Sequence, residues 1–157
     1  QSNGYFVEKW TNLTDAGATA SNTADGGVNT DYPLFRLADV YLMMAEAVVR
    51  GGTGSDKGTV LGYINKLQER AYGDDSHNKA EADLTQDFIL KERARELYWE
   101  GYRRTDLIRF GMFTTDKYLW QWKGGEKGGV AVNSKYNIYP IPATELTANP
   151  NLYNENY

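Results

Sequence analysis

The chain has 157 residues, 41% of them hydrophobic and 24% charged, and 17 basic against 21 acidic side chains leave a net charge of −4. That length supports one domain with a core of its own, and the acidic balance argues against a phosphate-backbone partner, which needs a concentrated basic face. With no cysteine, disulfides, thiolate metal sites and a cysteine nucleophile are excluded.

No basic run is long enough to form an anionic-membrane patch. The longest nearly apolar run, "DVYLMMAEAVV", is about half of a membrane span and carries two acids. The chain begins at Gln1 without an initiator Met, and reads as the mature portion of a longer protein whose targeting signal lies upstream.

Residues 4–10, "GYFVEKW", alternate and are rich in aromatic and β-branched types, which predicts an extended segment. Residues 14–30, small, polar and glycine-containing, predict a long surface loop. The pattern then turns helical. Leu37, Val40, Tyr41, Met44, Ala47 and Val48 follow the helical period, and Gly51-Gly52 stops the helix. A second helix is expected from about Thr59 to Ala71, with Val60, Leu61, Ile64, Leu67 and Ala71 on one face and Gly73 at its end. Two such helices on a short glycine-containing loop predict an antiparallel hairpin resembling a tetratricopeptide-type unit.

After the polar connector 74–82, a third helix is expected to start near Asp83 or Thr85, with Asp83 and Gln86 in a capping arrangement, and to run to about Gly101. A shorter helix follows to Phe110. Beyond it, glycine pairs and aromatics predict an irregular, partly extended layout, with one helical turn at "PATEL" and a turn-rich tail.

The stretch "ERARELYWEGYRRTDLIRFG", residues 92–111, holds nine charged side chains. On a continuous helix Glu92, Glu96 and Glu100 would share one face and repel unless cations interleave. Arg93, Arg95, Arg103 and Arg104 supply them, Glu100 to Arg104 has the favourable i,i+4 order, and Asp106 to Arg109 is an i,i+3 pair. An internal ionic network is the leading reading, and a solvated helix is the plain alternative. A metal bundle would need Glu-x-x-His motifs, which the chain lacks. A paired-carboxylate glycosidase would need a raised acid pKa, which neighbouring arginines oppose.

"YLWQWKGG" sets Tyr118, Trp120 and Trp122 on alternate positions, with Gln121 and Lys123 opposite. Exposed rings beside polar donors suit a sugar, whose apolar face stacks while hydroxyls find partners. Packing of these rings over the helices is the competing reading, and Trp99 is expected in the core. "KGGEKGG" lacks the spacing of a phosphate loop and reads as a turn.

Taken in order, "FRLADVYLMMAEA", "LTQDFILKERARELYWEGYRRTDLIRFG", "YLWQWKGG", "YNIYPIPATEL" and "NPNL" together resemble the C-terminal portion of the SusD/RagB family. Residues 14–30 and 74–82 match no motif of it, and Glu155-Asn156 stand where the family commonly has Pro-Gly. The resemblance implies a mainly α fold, with tetratricopeptide-like helix pairs, long irregular loops and short extended segments, forming a single domain over residues 1–157. It implies a non-catalytic glycan binder (in some members a peptide binder); separately, no cofactor and no metal dependence are expected from the residues. Such proteins are lipid-anchored on the outer face of the outer membrane and partner a SusC-like TonB-dependent transporter. An anchor would lie upstream of this chain. The wording of the aromatic stretch is closest to starch-binding members, so an α-glucan or related oligosaccharide is the expected ligand. Trp120, Trp122 and Tyr118 are the carbohydrate-binding candidates, on aromatic chemistry alone. The rival class is a helical-repeat scaffold that binds protein without binding sugar, and a glycoside hydrolase is a distant third.

Overall fold

The computed structural model describes residues 9–14, 16–21, 26–155 and 157. They fall into two compact units, Gln1–Glu100 and Gly101–Tyr157. Most of the extended segment expected at 4–10 lies outside the described residues. The class is mainly α: five α-helices and several single 3-10 turns are present among the described residues. Leu13 and Thr19 add one isolated antiparallel bridge.

In the first unit, α1 spans Leu37–Val49 and α2 spans Lys57–Tyr72. Asp56 caps α2 by accepting from the Thr59 N–H at 2.9 Å. Hydrogen bonds from the Thr59 backbone and hydroxyl hold its carboxyl below the ordinary aspartate range. Gly73, in the left-handed region at φ 84°, ends α2 as expected. Tyr41 and Tyr63 stack with centroids 4.5 Å apart. Both lie at similar distances from the connector 50–56, so the pair is the antiparallel hairpin read from the sequence.

The buried face of α1 is not the expected one. Ala38, Asp39, Leu42, Ala45 and Glu46 face inward, whereas Leu37 is 62% exposed and Val40 is also exposed. α1 carries apolar residues around most of its circumference, so periodicity alone cannot choose a face. The choice falls on the side where Ala38 and Ala45 are small enough for close packing on α2 and α3. Asp39 enters with them because Arg93 donates to it at 2.8 Å, with both side chains buried. On α2 Val60, Ile64 and Leu67 face inward as expected, joined by Gln68, whereas Leu61 is only half-buried and Ala71 is exposed.

α3 spans Gln86–Glu96. Its cap is Thr85, which accepts from the Phe88 N–H at 3.1 Å; Asp83 instead accepts from the Ala80 N–H at 2.9 Å and closes the preceding turn. The helix stops at Glu96 rather than near Gly101, because Trp99 takes a left-handed φ of 62°. That conformation costs a non-glycine residue about 1–2 kcal/mol. The turn it makes carries Glu100 inward, where the carboxylate gains two charged donors, and leaves Trp99 60% exposed rather than in the core.

In the second unit, α4 spans Arg103–Arg109, where Arg109 donates to the buried Asp106 at 2.8 Å. α5, Ala143–Ala148, is the turn expected at "PATEL". Among the described residues of this unit, Leu107 is the buried hydrophobic side chain. Much of its order comes from hydrogen bonds and ring contacts within the loops.

Candidate functional site

The charged stretch is a network. Glu96 and Glu100 are held by cations distant in sequence, whereas Glu92 keeps the interleaved Arg95 and Asp106 keeps Arg109. Glu100 accepts from Arg36 Nε at 2.7 Å and from Lys9 Nζ. Glu96 accepts from Arg70 Nη2 at 2.6 Å and from Arg36 Nη1. Glu92 accepts from Gln68 Nε2 at 2.7 Å and from Arg95. Burial alone would raise the Glu100 carboxyl, but the hydrogen bonds and charges of Arg36 and Lys9 hold it below the ordinary glutamate value. Carboxylates saturated in this way are anchors, poorly suited to proton transfer. Glu100 lies beyond the end of α3, so the i,i+4 spacing to Arg104 does not apply.

The aromatic stretch forms something different. Arg104, on α4, reaches out with its guanidinium 4.0 Å from the Tyr139 ring centre and 5.1 Å from that of Phe113. Its Nη2 donates to the Tyr136 carbonyl at 2.7 Å. Lys123 is buried, and its ammonium donates to the carbonyls of Thr115 and Tyr118 at 2.6 and 2.8 Å while standing 4.8 Å from the Trp120 ring. These two cations pin the loops on either side of an open cavity of about 670 Å³. Trp120, Tyr136, Tyr139, Phe113 and Tyr157 supply its rings, and Asn133 adds an amide. Pockets for drug-sized ligands run from ~300 to 1,000 Å³, so this one has room for more than one sugar ring.

Of the sequence candidates, Trp120 lines the cavity. Tyr118 lies beside it, with ring centres 6.2 Å apart, and stacks under Arg103 at 4.7 Å. Trp122 is 64% exposed in a left-handed turn and does not line the cavity. Tyr136, Tyr139, Asn133 and Arg104 escaped the sequence reading. Their one available signal was the i,i+3 tyrosine pair in "YNIYPIP".

The glycine pairs shape this loop. A Cβ on Gly129, at φ +79°, would lie 2.4 Å from the Trp120 carbonyl oxygen. Gly129→Ala is therefore expected to cost about 2 kcal/mol, from left-handed strain and the forced shift of Trp120. A lowered melting temperature together with an altered near-ultraviolet tryptophan signal checks this; an unchanged signal would place Trp120 elsewhere.

Among the described residues, the cavity lining holds no aspartate, glutamate or histidine side chain. Rings, an amide and fixed cations make a binding surface.

Residues 1–157 match the SusD family. The chain is 44% identical over 155 residues to the starch-binding protein SusD of Bacteroides thetaiotaomicron, covering 98% of this chain and 26% of that protein. A SusD-like protein of Formosa agariphila is 32% identical over 152 residues, covering 93% and 26%. The structure matches a crystal structure of a SusD superfamily protein from Bacteroides vulgatus with a TM-score of 0.64 at 26% identity, covering 87% of this chain and 30% of that one. The chain spans 26% of the length of each of these two curated relatives. It belongs to the SusD family.

Proposed function

We propose that this SusD-family chain is part of a non-catalytic protein that captures glycan at the cell surface, with an α-glucan as ligand. The observation that carries the reading is the open cavity whose rings, Trp120, Tyr136 and Tyr139, stand beside Asn133 and Arg104. Stacked pyranose faces and donors for hydroxyls are the two requirements of sugar binding, and both are met there. The similarity to a starch-binding relative supports the choice of α-glucan. By the same family reasoning, the whole protein is held at the outer face of the outer membrane by an upstream lipid anchor. It passes its ligand to a SusC-like TonB-dependent transporter. Residues 1–157 form one C-terminal domain of it.

Calorimetric titration of the intact protein with maltoheptaose tests the glycan reading. Binding is expected, and Tyr139→Ala is expected to weaken it about tenfold, by removing the most exposed ring. No heat at millimolar sugar would overturn the reading.

A second reading, a protein-binding helical scaffold, is favoured by one observation. The outer side of α1 and the residues before it, including Leu34, Phe35, Leu37 and Val40, expose apolar side chains together. A partner captured through that face, with sugar binding absent, would select it.

A further inference from the structure

We propose that the first unit carries a second carbohydrate contact, a one-ring platform formed by Trp10 and Tyr32 with Asp31 at its edge. The inference rests on the glycan-capture reading and extends it to a site separate from the cavity of the second unit.

The platform is a cleft of about 200 Å³ between residues 10–12 and 28–32. That is below the ~300 Å³ at which drug-sized pockets begin, so it fits one sugar ring and not a chain segment. The Trp10 and Tyr32 ring centres are 5.6 Å apart with their planes tilted by 38°. No ring fits between them. They present instead a bent, continuous apolar surface, on which Tyr32 is 53% exposed. Asp31, Thr30 and Asn12 line the same cleft. An exposed carboxylate beside an aromatic face is the acceptor that ring hydroxyls need, and hydrogen bonds to it are charge-assisted.

The platform is held before any ligand arrives. The Asn29 N–H donates to Asn12 Oδ1 at 2.8 Å, and the Thr30 hydroxyl donates to the Thr11 carbonyl at 2.6 Å. Both segments are also tied to one buried carboxylate. Glu100 takes Lys9, the neighbour of Trp10, and Arg36, four residues beyond Tyr32. Preorganisation of this kind lowers the ordering cost that otherwise erases the gain from a small contact. A cationic ligand would meet the same rings and Asp31. Lys9 disfavours it, because its ammonium already stands 5.8 Å from the Trp10 ring.

Titration of the intact protein with maltose and with maltoheptaose, followed by calorimetry and tryptophan fluorescence, tests the proposal. Tyr32→Ala and Asp31→Asn, both at exposed positions, are each expected to weaken maltose binding about five- to tenfold with an unchanged melting temperature. In Tyr139→Ala the maltose-induced change in Trp10 fluorescence is expected to persist. If Tyr32→Ala and Asp31→Asn bind both sugars as wild type does, while Tyr139→Ala loses them, binding is confined to the cavity. The platform is then overturned and the glycan reading stands. If wild type binds neither sugar, both fall.

Discussion

Glu100→Gln is expected to lower stability by about 3 kcal/mol, the lower end of what breaking a buried ion pair costs. The Glu100 side chain is 1% exposed and faces two cations, Arg36 and Lys9, whose side chains keep 22% and 27% of their surface in water. Removing the charge leaves both cations half-buried beside a neutral amide, and their partial exposure keeps the loss from reaching the upper end of the range. The same substitution loosens the first unit locally, because Glu100 joins the segment before Trp10 to the segment after Tyr32. The pH dependence has a fixed sign. The Glu100 carboxyl is held below its ordinary value of 4.5, so its contribution is fully present above that value. The contribution is lost as pH falls through the lower, folded-state value. Wild type should therefore lose stability in acid more steeply than Glu100→Gln, and the two should converge. Denaturant melts between pH 7 and pH 3 measure this. Parallel curves for the two proteins would mean that Glu100 is solvated and that the network is ornamental.

That network shows which parts of the fold were legible in sequence. The stops of α1, α2 and α4 were legible because they rest on one residue and its local geometry: Gly51 and Gly73 have positive φ, and so does Gly111 after α4. The density of charge in residues 92–111 was legible as a network because unpaired charges at that spacing repel. The partners were not, since Lys9 and Arg36 lie 91 and 64 residues from Glu100 and no local rule connects them. The left-handed Trp99 was hidden for the same reason. Its strain is sustained by where Glu100 ends up, a tertiary effect that overrides helical propensity.

The cavity divides in a similar way. Trp120 was legible because a cluster of aromatics at alternate positions is conspicuous. Trp122, equally conspicuous, adopts the left-handed turn at φ 68° that lets the glycine-rich loop close. Tyr136 and Tyr139 join the cavity through Arg104, more than thirty residues earlier, which grips the Tyr136 carbonyl and lies over the Tyr139 ring. A cation that organises rings from a distant helix leaves no spacing in the sequence to read.

The other large effect expected concerns α1, where the sequence pattern and the structure select opposite faces. Leu42→Ala should cost about 3 kcal/mol, since Leu42 is 0% exposed and packs where α1 meets the rest of the helical core. Leu37→Ala should stay within about 0.5 kcal/mol in the 157-residue chain, the range for surface positions. The two substitutions delete the same atoms from the same helix, so most of the difference reports burial. Equal losses would mean that both faces of α1 are covered. A larger loss at Leu37 would restore the face that periodicity chose and displace the packing of Ala38 and Ala45 on the neighbouring helices. The expected order, Leu42 well above Leu37, follows from Asp39. A face that carries an acidic residue inward is stable only if a buried partner meets it, and Arg93 does so at 2.8 Å. Apolar counting passed over that face because of Asp39 and Glu46; Arg93 meets the first from α3, and Arg50 meets the second at 2.9 Å from one turn further along the chain.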